Sequence, residues 1–214
     1  MQSWGIGSRL SERQTEAEPT KSGVIGLIAS ALGRSREDPI QDLVEMKMGV
    51  RVDREGQIFY DYHTVLDVLR ANVKGKITKS KLGTVTSRRF FLADACFLVG
   101  MESKNDTLLD EILLGLNKPR WPLFLGRKSF LPSSPVRISS NIFDEPLSNV
   151  LTKVKWLGRT TDVSPEALRL VIETEPNEGQ TRMDVPISFL PKQYRSRYVA
   201  TKFIPFEDIL REVK

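Results

Sequence analysis

His63 and Cys96, the one histidine and the one cysteine of the chain, are the side chains whose type suits acid–base or nucleophilic chemistry near neutral pH. One histidine and one cysteine are too few for a two-histidine metal site, a zinc site or a His–His proton relay within one chain. Cys96 lies inside the apolar run from Phe90 to Gly100, which favours the thiol over the reactive thiolate, so a Cys96–His63 nucleophile pair is disfavoured. A buried or hydrogen-bonded structural role is the better expectation for His63. Metal-independent cleavage of RNA needs a general base, a general acid and a cation for the developing phosphorane; Tyr62, His63 and Lys128 have the right types, but nothing in the sequence places them together. Lys21 and Ser22 stand where a phosphate loop would end, yet no Gly-x-x-x-x-Gly precedes them and no apolar strand leads in from Glu16 to Glu18.

The element that positions Lys21 and Ser22 is a helix over residues 20–33. Thr20 or Ser22 can cap it, Val24, Leu27, Ile28, Ala31 and Leu32 recur at helical spacing, and Gly33 suits the residue after its end. Its first N–H groups and its dipole favour an anion, so either a ligand phosphate sits beside Lys21 or the helix is simply capped and its lysine solvated.

The chain carries 32 Lys and Arg against 27 Asp and Glu, a net charge of only +5, so the placement of the cations says more than their number. Residues 66–90 hold Arg70, Lys74, Lys76, Lys79, Lys81, Arg88 and Arg89 against the single acid Asp67, and Lys118, Arg120, Arg127 and Lys128 form a second cluster without an acid among them. Basic clusters with aromatic neighbours, Trp4 and Tyr62 among them, point to a polyanion, single-stranded nucleic acid first, because rings stack bases while cations follow phosphates. A basic solvated face is the plain alternative. No apolar run is of membrane-spanning length, the first residues lack a signal-peptide pattern, and a lone cysteine suits a reducing cytoplasm.

Taken in order, residues 1–18 form a loop around Trp4, and a short helix follows from a cap at Ser35 to Met46 or Lys47. Alternating residues predict a β-hairpin of 48–53 with 57–65 across the turn Arg54-Glu55-Gly56. The basic stretch 66–88 lacks core alternation and is expected to project. Phe90 to Met101 predicts one central strand covered on both faces, and Asp106 caps a helix that ends at Asn117. Four prolines between 118 and 135 exclude a regular element there, with Gly126 allowing a close backbone approach. A short strand at 136–138, a helix at 144–154 and strands at 167–174, 183–189 and 197–203 complete the pattern, the last three read as a small β-rich subdomain from residue 145.

Five motifs, in this order, resemble the CasD family, the RNA-capping subunit of the type I-E CRISPR surveillance complex called Cascade. They are Pro-Thr-Lys-Ser-Gly-Val-Ile-Gly-Leu-Ile-Ala-Ser-Ala-Leu-Gly from residue 19, Asp61-Tyr62-His63-Thr64-Val65, Phe91-Leu92-Ala93-Asp94-Ala95, Pro122-Leu123-Phe124-Leu125-Gly126-Arg127-Lys128-Ser129 and Asp184-Val185-Pro186. The resemblance implies an α+β chain: a ferredoxin-like (RRM-like) domain over 1–144, of the kind called a repeat-associated mysterious protein (RAMP), with a projecting basic thumb at 66–89 and a glycine-rich loop at 125–129. The β-rich subdomain would then span 145–214. It also implies a non-catalytic cytoplasmic subunit, without cofactor or metal, that holds the 5′ handle of the guide RNA (crRNA), joins the Cascade backbone subunits to the large subunit, and meets target DNA only through the complex. Lys21, Ser22, Lys74, Lys76, Lys79, Lys81, Arg88, Arg120, Arg127, Lys128, Trp4, Tyr62 and His63 are the expected RNA contacts. Related type I-C members cut the repeat RNA themselves, which keeps an endoribonuclease as the alternative. Family members carry an apolar strand ahead of the Gln-Ser-Trp-Gly loop with which this chain begins, so the resemblance also implies a natural start roughly ten residues upstream of Met1.

Overall fold

A computed structural model describes residues 1–6, 11–71, 77–159 and 161–210, with backbone alone at residues 70, 71, 77–82 and 210. The described elements, in chain order, are β1 (Glu12–Arg13), α1 (Lys21–Leu32), α2 (Gln41–Val44), β2 (Lys47–Arg54), β3 (Gln57–Ala71), β4 (Ile77–Ala93), β5 (Cys96–Glu102), α3 (Asp106–Asn117), α4 (Leu147–Lys153), β6 (Ala167–Thr174), β7 (Gln180–Phe189), β8 (Lys192–Pro205) and α5 (Phe206–Leu210). This is a mixed α+β chain with two sheets. One has the antiparallel order β5-β2-β6-β8-β7; the other has the order β1-β4-β3, a long hairpin of β3 and β4 with β1 added parallel to β4.

The main core lies on one face of the five-stranded sheet. Met48, Val50 and Val52 alternate along β2 and meet Ile25 and Ile28 of α1, Leu43 of α2, and Leu108 and Ile112 of α3. The other face of β2 carries Gly49, Arg51 and Asp53. Gly49 and Gly100 stand opposite each other in register, and a Cβ on either would come within 2.6 Å and 2.4 Å of the leucines of α4, so the missing side chains let that helix lie directly on the sheet. Leu147 and Leu151 of α4 pack there with Leu98 and Leu170.

Arg51 is fully buried beneath α4. Its guanidinium meets both oxygens of Asp53 at 2.6 and 2.8 Å and donates to the carbonyls of Leu151, Val154 and Lys155; Asp53 also accepts the Leu157 N–H at 2.8 Å. A charge pair in that setting holds only because every donor is taken.

The chain passes between the sheets twice at one corner, outward at Glu55-Gly56 and back at Asp94-Ala95. Gly56 has φ 74°, and a Cβ there would stand 2.6 Å from the Ala93 carbonyl oxygen. Asp94 has φ 60°, and Arg54 fastens the crossing by donating to its carbonyl at 2.5 Å while pairing with Asp162 at 2.6 Å.

The limits of α1 match the expectation: Thr20 is the N-cap, accepting from the Gly23 N–H at 3.2 Å, and Gly33 is left-handed at φ 76°. Other expectations need correction. The hairpin of 48–53 with 57–65 does not form, because β2 pairs with β5 and β6 whereas β3 pairs with β4. Phe90 to Met101 is not one central strand; it breaks at Asp94 into the end of β4 and the start of β5, and among the described residues β5 has a strand on one side only. Within the stretch expected to project, the described residues 66–71 and 77–88 are strand, which the sequence pattern does not mark. Register shifts around Val68, with Asp67 at φ 53°, break the two-residue period and hide the strand from a pattern search. The second helix is confined to Gln41–Val44, Asn105 rather than Asp106 caps α3, and 136–138 is not a strand. β6 is hydrogen-bonded to β2, so one sheet holds strands from before and after residue 145.

Asp53→Ala strands the Arg51 guanidinium under α4 and should cost about 3–5 kcal/mol in urea unfolding at unchanged slope. A loss under about 1 kcal/mol, the level of an exposed pair, contradicts the account.

Candidate nucleic-acid interface

The N-terminus of α1 does hold an anion, and the anion belongs to the chain. The Lys21 backbone N–H donates to the Asp184 carboxylate at 2.8 Å, and Arg197 grips both oxygens of that carboxylate at 2.7 and 2.9 Å. The Lys21 ammonium, 2% exposed, is bonded to both oxygens of Glu173 at 3.1 and 3.0 Å. Burial pulls it below the usual lysine value, against the Glu173 carboxylate, which pulls the other way. Close by, Glu18 is bound by Arg169 and Arg182. This corrects the expectation of an external phosphate at Lys21, which is buried with its backbone N–H on Asp184 and its ammonium on Glu173; Ser22 is half-buried beside it, its hydroxyl 3.4 Å from that of Thr20.

Trp4 also belongs to the interior. It is 4% exposed, its indole N–H donates to the Gln2 side chain at 3.1 Å, and its ring lies against Gly23, where a Cβ would approach within 2.7 Å. No face is left for a base to stack on, which corrects its expected role.

The second basic cluster assembles differently. Gly126 has φ 86°, and a Cβ on it would collide with the Ser3 carbonyl oxygen at 1.7 Å; its bare backbone lets residues 1–4 cross, with the Ser3 N–H donating to the Leu125 carbonyl at 3.0 Å. That crossing aims Arg127 at the root of the hairpin. Its guanidinium donates to the carbonyls of Phe90 at 2.7 Å, Arg89 at 3.2 Å and Arg13 at 3.4 Å, and lies 5.5 Å from the centre of the Phe130 ring. These acceptors are neutral, so the positive charge is held in place without being cancelled by them. Burial pulls the Arg127 pKa down, and the charges of Arg89 and Arg13 pull the same way, with Asp61 opposing them.

Register completes the patch. β1 sets Arg13 beside Arg89 and Glu12 beside Arg88; β3 sets Asp61 opposite Arg89 and Tyr62 opposite Arg88. Alternation then puts Tyr60, Tyr62 and Arg88 on one face of the ribbon, and Asp61, His63 and Arg89 on the other. His63 is half-exposed, 3.9 Å from Asp61, which is too long for a hydrogen bond, and it is not the buried structural histidine expected. Because Tyr62 and His63 are adjacent in β3, they point to opposite faces, so they do not converge on one phosphate as a cleavage site would require.

Lys128 is exposed beside Arg127. Arg120 is elsewhere: its backbone N–H donates to the Ala31 carbonyl, its stem covers Gly33, and it lines the shallow groove between α1 and α3 with Arg34 and Lys118. Lys74 and Lys76 lie outside the described residues, and Lys79 and Lys81 are described by the β4 backbone alone. Arg13, Arg89 and Tyr60 were not among the expected contacts. Arg13 falls in a stretch with no periodicity, and its two-residue parallel pairing has no sequence signature.

If Lys21 is scaffold, Lys21→Met should lower stability by about 1–3 kcal/mol, since Glu173 loses a charge-assisted partner. The affinity for single-stranded RNA and its salt dependence, measured on the folded protein, should stay as they were; a slope reduced by about 0.7, one phosphate's worth, would reinstate Lys21 as an RNA contact.

The comparisons with known proteins agree with one another. "CRISPR system Cascade subunit CasD" of Escherichia coli (strain K12) is 29% identical over 211 residues, covering 92% of this chain and 89% of that protein. A solved structure described as "Crystal structure of Cas protein" is 37% identical with a TM-score of 0.74, covering 97% of this chain and 91% of the other. A chain of a "CRISPR RNA-guided surveillance complex" is 30% identical with a TM-score of 0.76, covering 95% and 86%. The model of the family "CRISPR-associated protein (Cas_Cas5)" matches residues 1–200, and the chain therefore belongs to that family, the one to which its likeness to CasD also points.

Proposed function

We propose that this chain is a non-catalytic, RNA-binding subunit of a type I-E Cascade surveillance complex in the cytoplasm. It holds the 5′ handle of the guide RNA and joins the backbone RAMP subunits to the large subunit, and it meets target DNA only through the complex. The observation that carries the reading is the root of the β3–β4 hairpin, where Arg88 shares one face with the exposed rings of Tyr60 and Tyr62 while Arg13, Arg89, Arg127 and Lys128 gather at the same root. Cations that follow phosphates next to rings that stack bases are what single-stranded RNA requires. The names of the relatives support the reading: CasD is a Cascade subunit, and one similar chain belongs to an RNA-guided complex.

In this reading the hairpin is the thumb of a ferredoxin-like RAMP fold, and Lys74, Lys76, Lys79 and Lys81 stay among the proposed RNA contacts. Lys21, Ser22 and Trp4 serve the scaffold. The opposed directions of Tyr62 and His63 support a subunit that binds RNA without cutting it.

Replacing Arg88, Arg89 and Lys128 together by Ala should weaken binding of handle RNA and reduce the slope of log K against log salt by about 2, roughly 0.7 per lost contact. The unaltered protein, incubated with labelled repeat RNA in chelator, should shift the RNA and leave it whole. An unchanged slope would remove this surface from the interface. A metal-independent cut that is abolished by His63→Ala would establish the endoribonuclease alternative.

A further inference from the structure

Tyr60 and Tyr62 are 54% and 63% exposed on one face of the β1-β4-β3 sheet, two large rings turned to solvent side by side. Phe90, across from Tyr60, supports it from one side with ring centres 5.6 Å apart and planes inclined by 48°. On the side toward Tyr62, the Arg88 guanidinium lies over the Tyr60 ring at 5.8 Å from its centre. A cation thus covers this face of Tyr60, so the face already accepts a planar group and a base reaches it when the guanidinium moves aside. The acid nearest Arg88 is Glu12 at 3.9 Å, a distance that holds the guanidinium weakly and lets it swing to a phosphate.

Spacing then decides what fits. Residues two apart on a strand stand about 6.8 Å apart along it, and one base stacked between two rings needs about twice the 3.4 Å rise of a stacked step. We propose that Tyr60 and Tyr62 clasp a single unpaired RNA base between their rings while Arg88 takes the adjoining phosphate. The proposal rests on the RNA-binding reading above and adds a subsite to it. The cations argue for RNA over an apolar protein segment: Arg88 on the same face, with Arg13, Arg89 and Arg127 at the same root, suit a polyanion that also presents flat faces. Stacking is indifferent to base identity because every base has a π-face, so the clasp requires a base at one position without requiring a particular base.

The test uses the full chain, handle RNAs carrying one abasic nucleotide at each position in turn, and the variants Tyr60→Leu, Tyr62→Leu, Tyr60→Phe and Tyr62→Phe. The leucine variants keep apolar area but lose the ring, and both tyrosines are exposed enough for the fold to tolerate the change, which thermal unfolding checks. Each leucine variant should bind handle RNA on the order of tenfold more weakly with an unchanged salt slope, and each phenylalanine variant should bind within about twofold of the parent. One abasic position should reproduce the leucine loss, and combining the two should add little further. Leucine variants that bind like the parent, or losses that add in full at every abasic position, overturn the clasp alone if the parent still binds RNA. A parent chain that fails to bind any handle RNA overturns the functional reading and the clasp together.

Discussion

The corner at Gly56 and Asp94, where the chain leaves the five-stranded sheet and returns to it, is the constraint on which the candidate interface depends. Two left-handed residues in close apposition and the grip of Arg54 on the Asp94 carbonyl fix where the hairpin departs. Everything proposed to bind RNA hangs from that point: the rings of β3, the arginines of β4 and the Arg127 clamp across their root. The hairpin has little core of its own, so its placement is borrowed from the sheet behind it. That sheet is kept rigid by Arg51 and Asp53, which tie β2 to the end of α4.

Ionic groups in this protein divide by the partner they meet. Around the start of α1, Lys21, Arg169, Arg182 and Arg197 each face a carboxylate, and the network joins the helix to β6, β7 and β8. At the hairpin root, Arg127 meets only carbonyl oxygens through its hydrogen bonds, and its neighbours Arg13 and Arg89 add to the field. Internal carboxylates grip the first set directly, whereas in the second Arg127 is held by neutral acceptors and the acids that register sets beside Arg89 and Arg88, Asp61 and Glu12, are partly exposed. Both sets look alike as letters, and the difference lies in whether the folded chain meets each cation with a buried carboxylate or with backbone carbonyls.

What was legible in the sequence follows from this. The caps and spacing of α1 are local, so Thr20 and Gly33 mark its ends correctly, and the periods of 167–174, 183–189 and 197–203 locate β6, β7 and β8. Pairing is not local. Nothing between Met48 and Val65 says that the two strands part at Gly56 into different sheets, and the irregularity at Asp67 and Val68 erases the alternation that would have revealed the rest of β3. In the same way Lys21 beside a helix start suggests a bound phosphate until Asp184, 163 residues away, is found in the place of the anion.

In the proposed complex RNA lies across the root of the β3–β4 hairpin. Ultraviolet crosslinking of handle RNA to the full chain, with the modified residues mapped by mass spectrometry, tests it most directly. Crosslinks are expected among residues 57–63, 86–90 and 124–130. Crosslinks confined to the groove between α1 and α3, or to the strands of the five-stranded sheet, would contradict it.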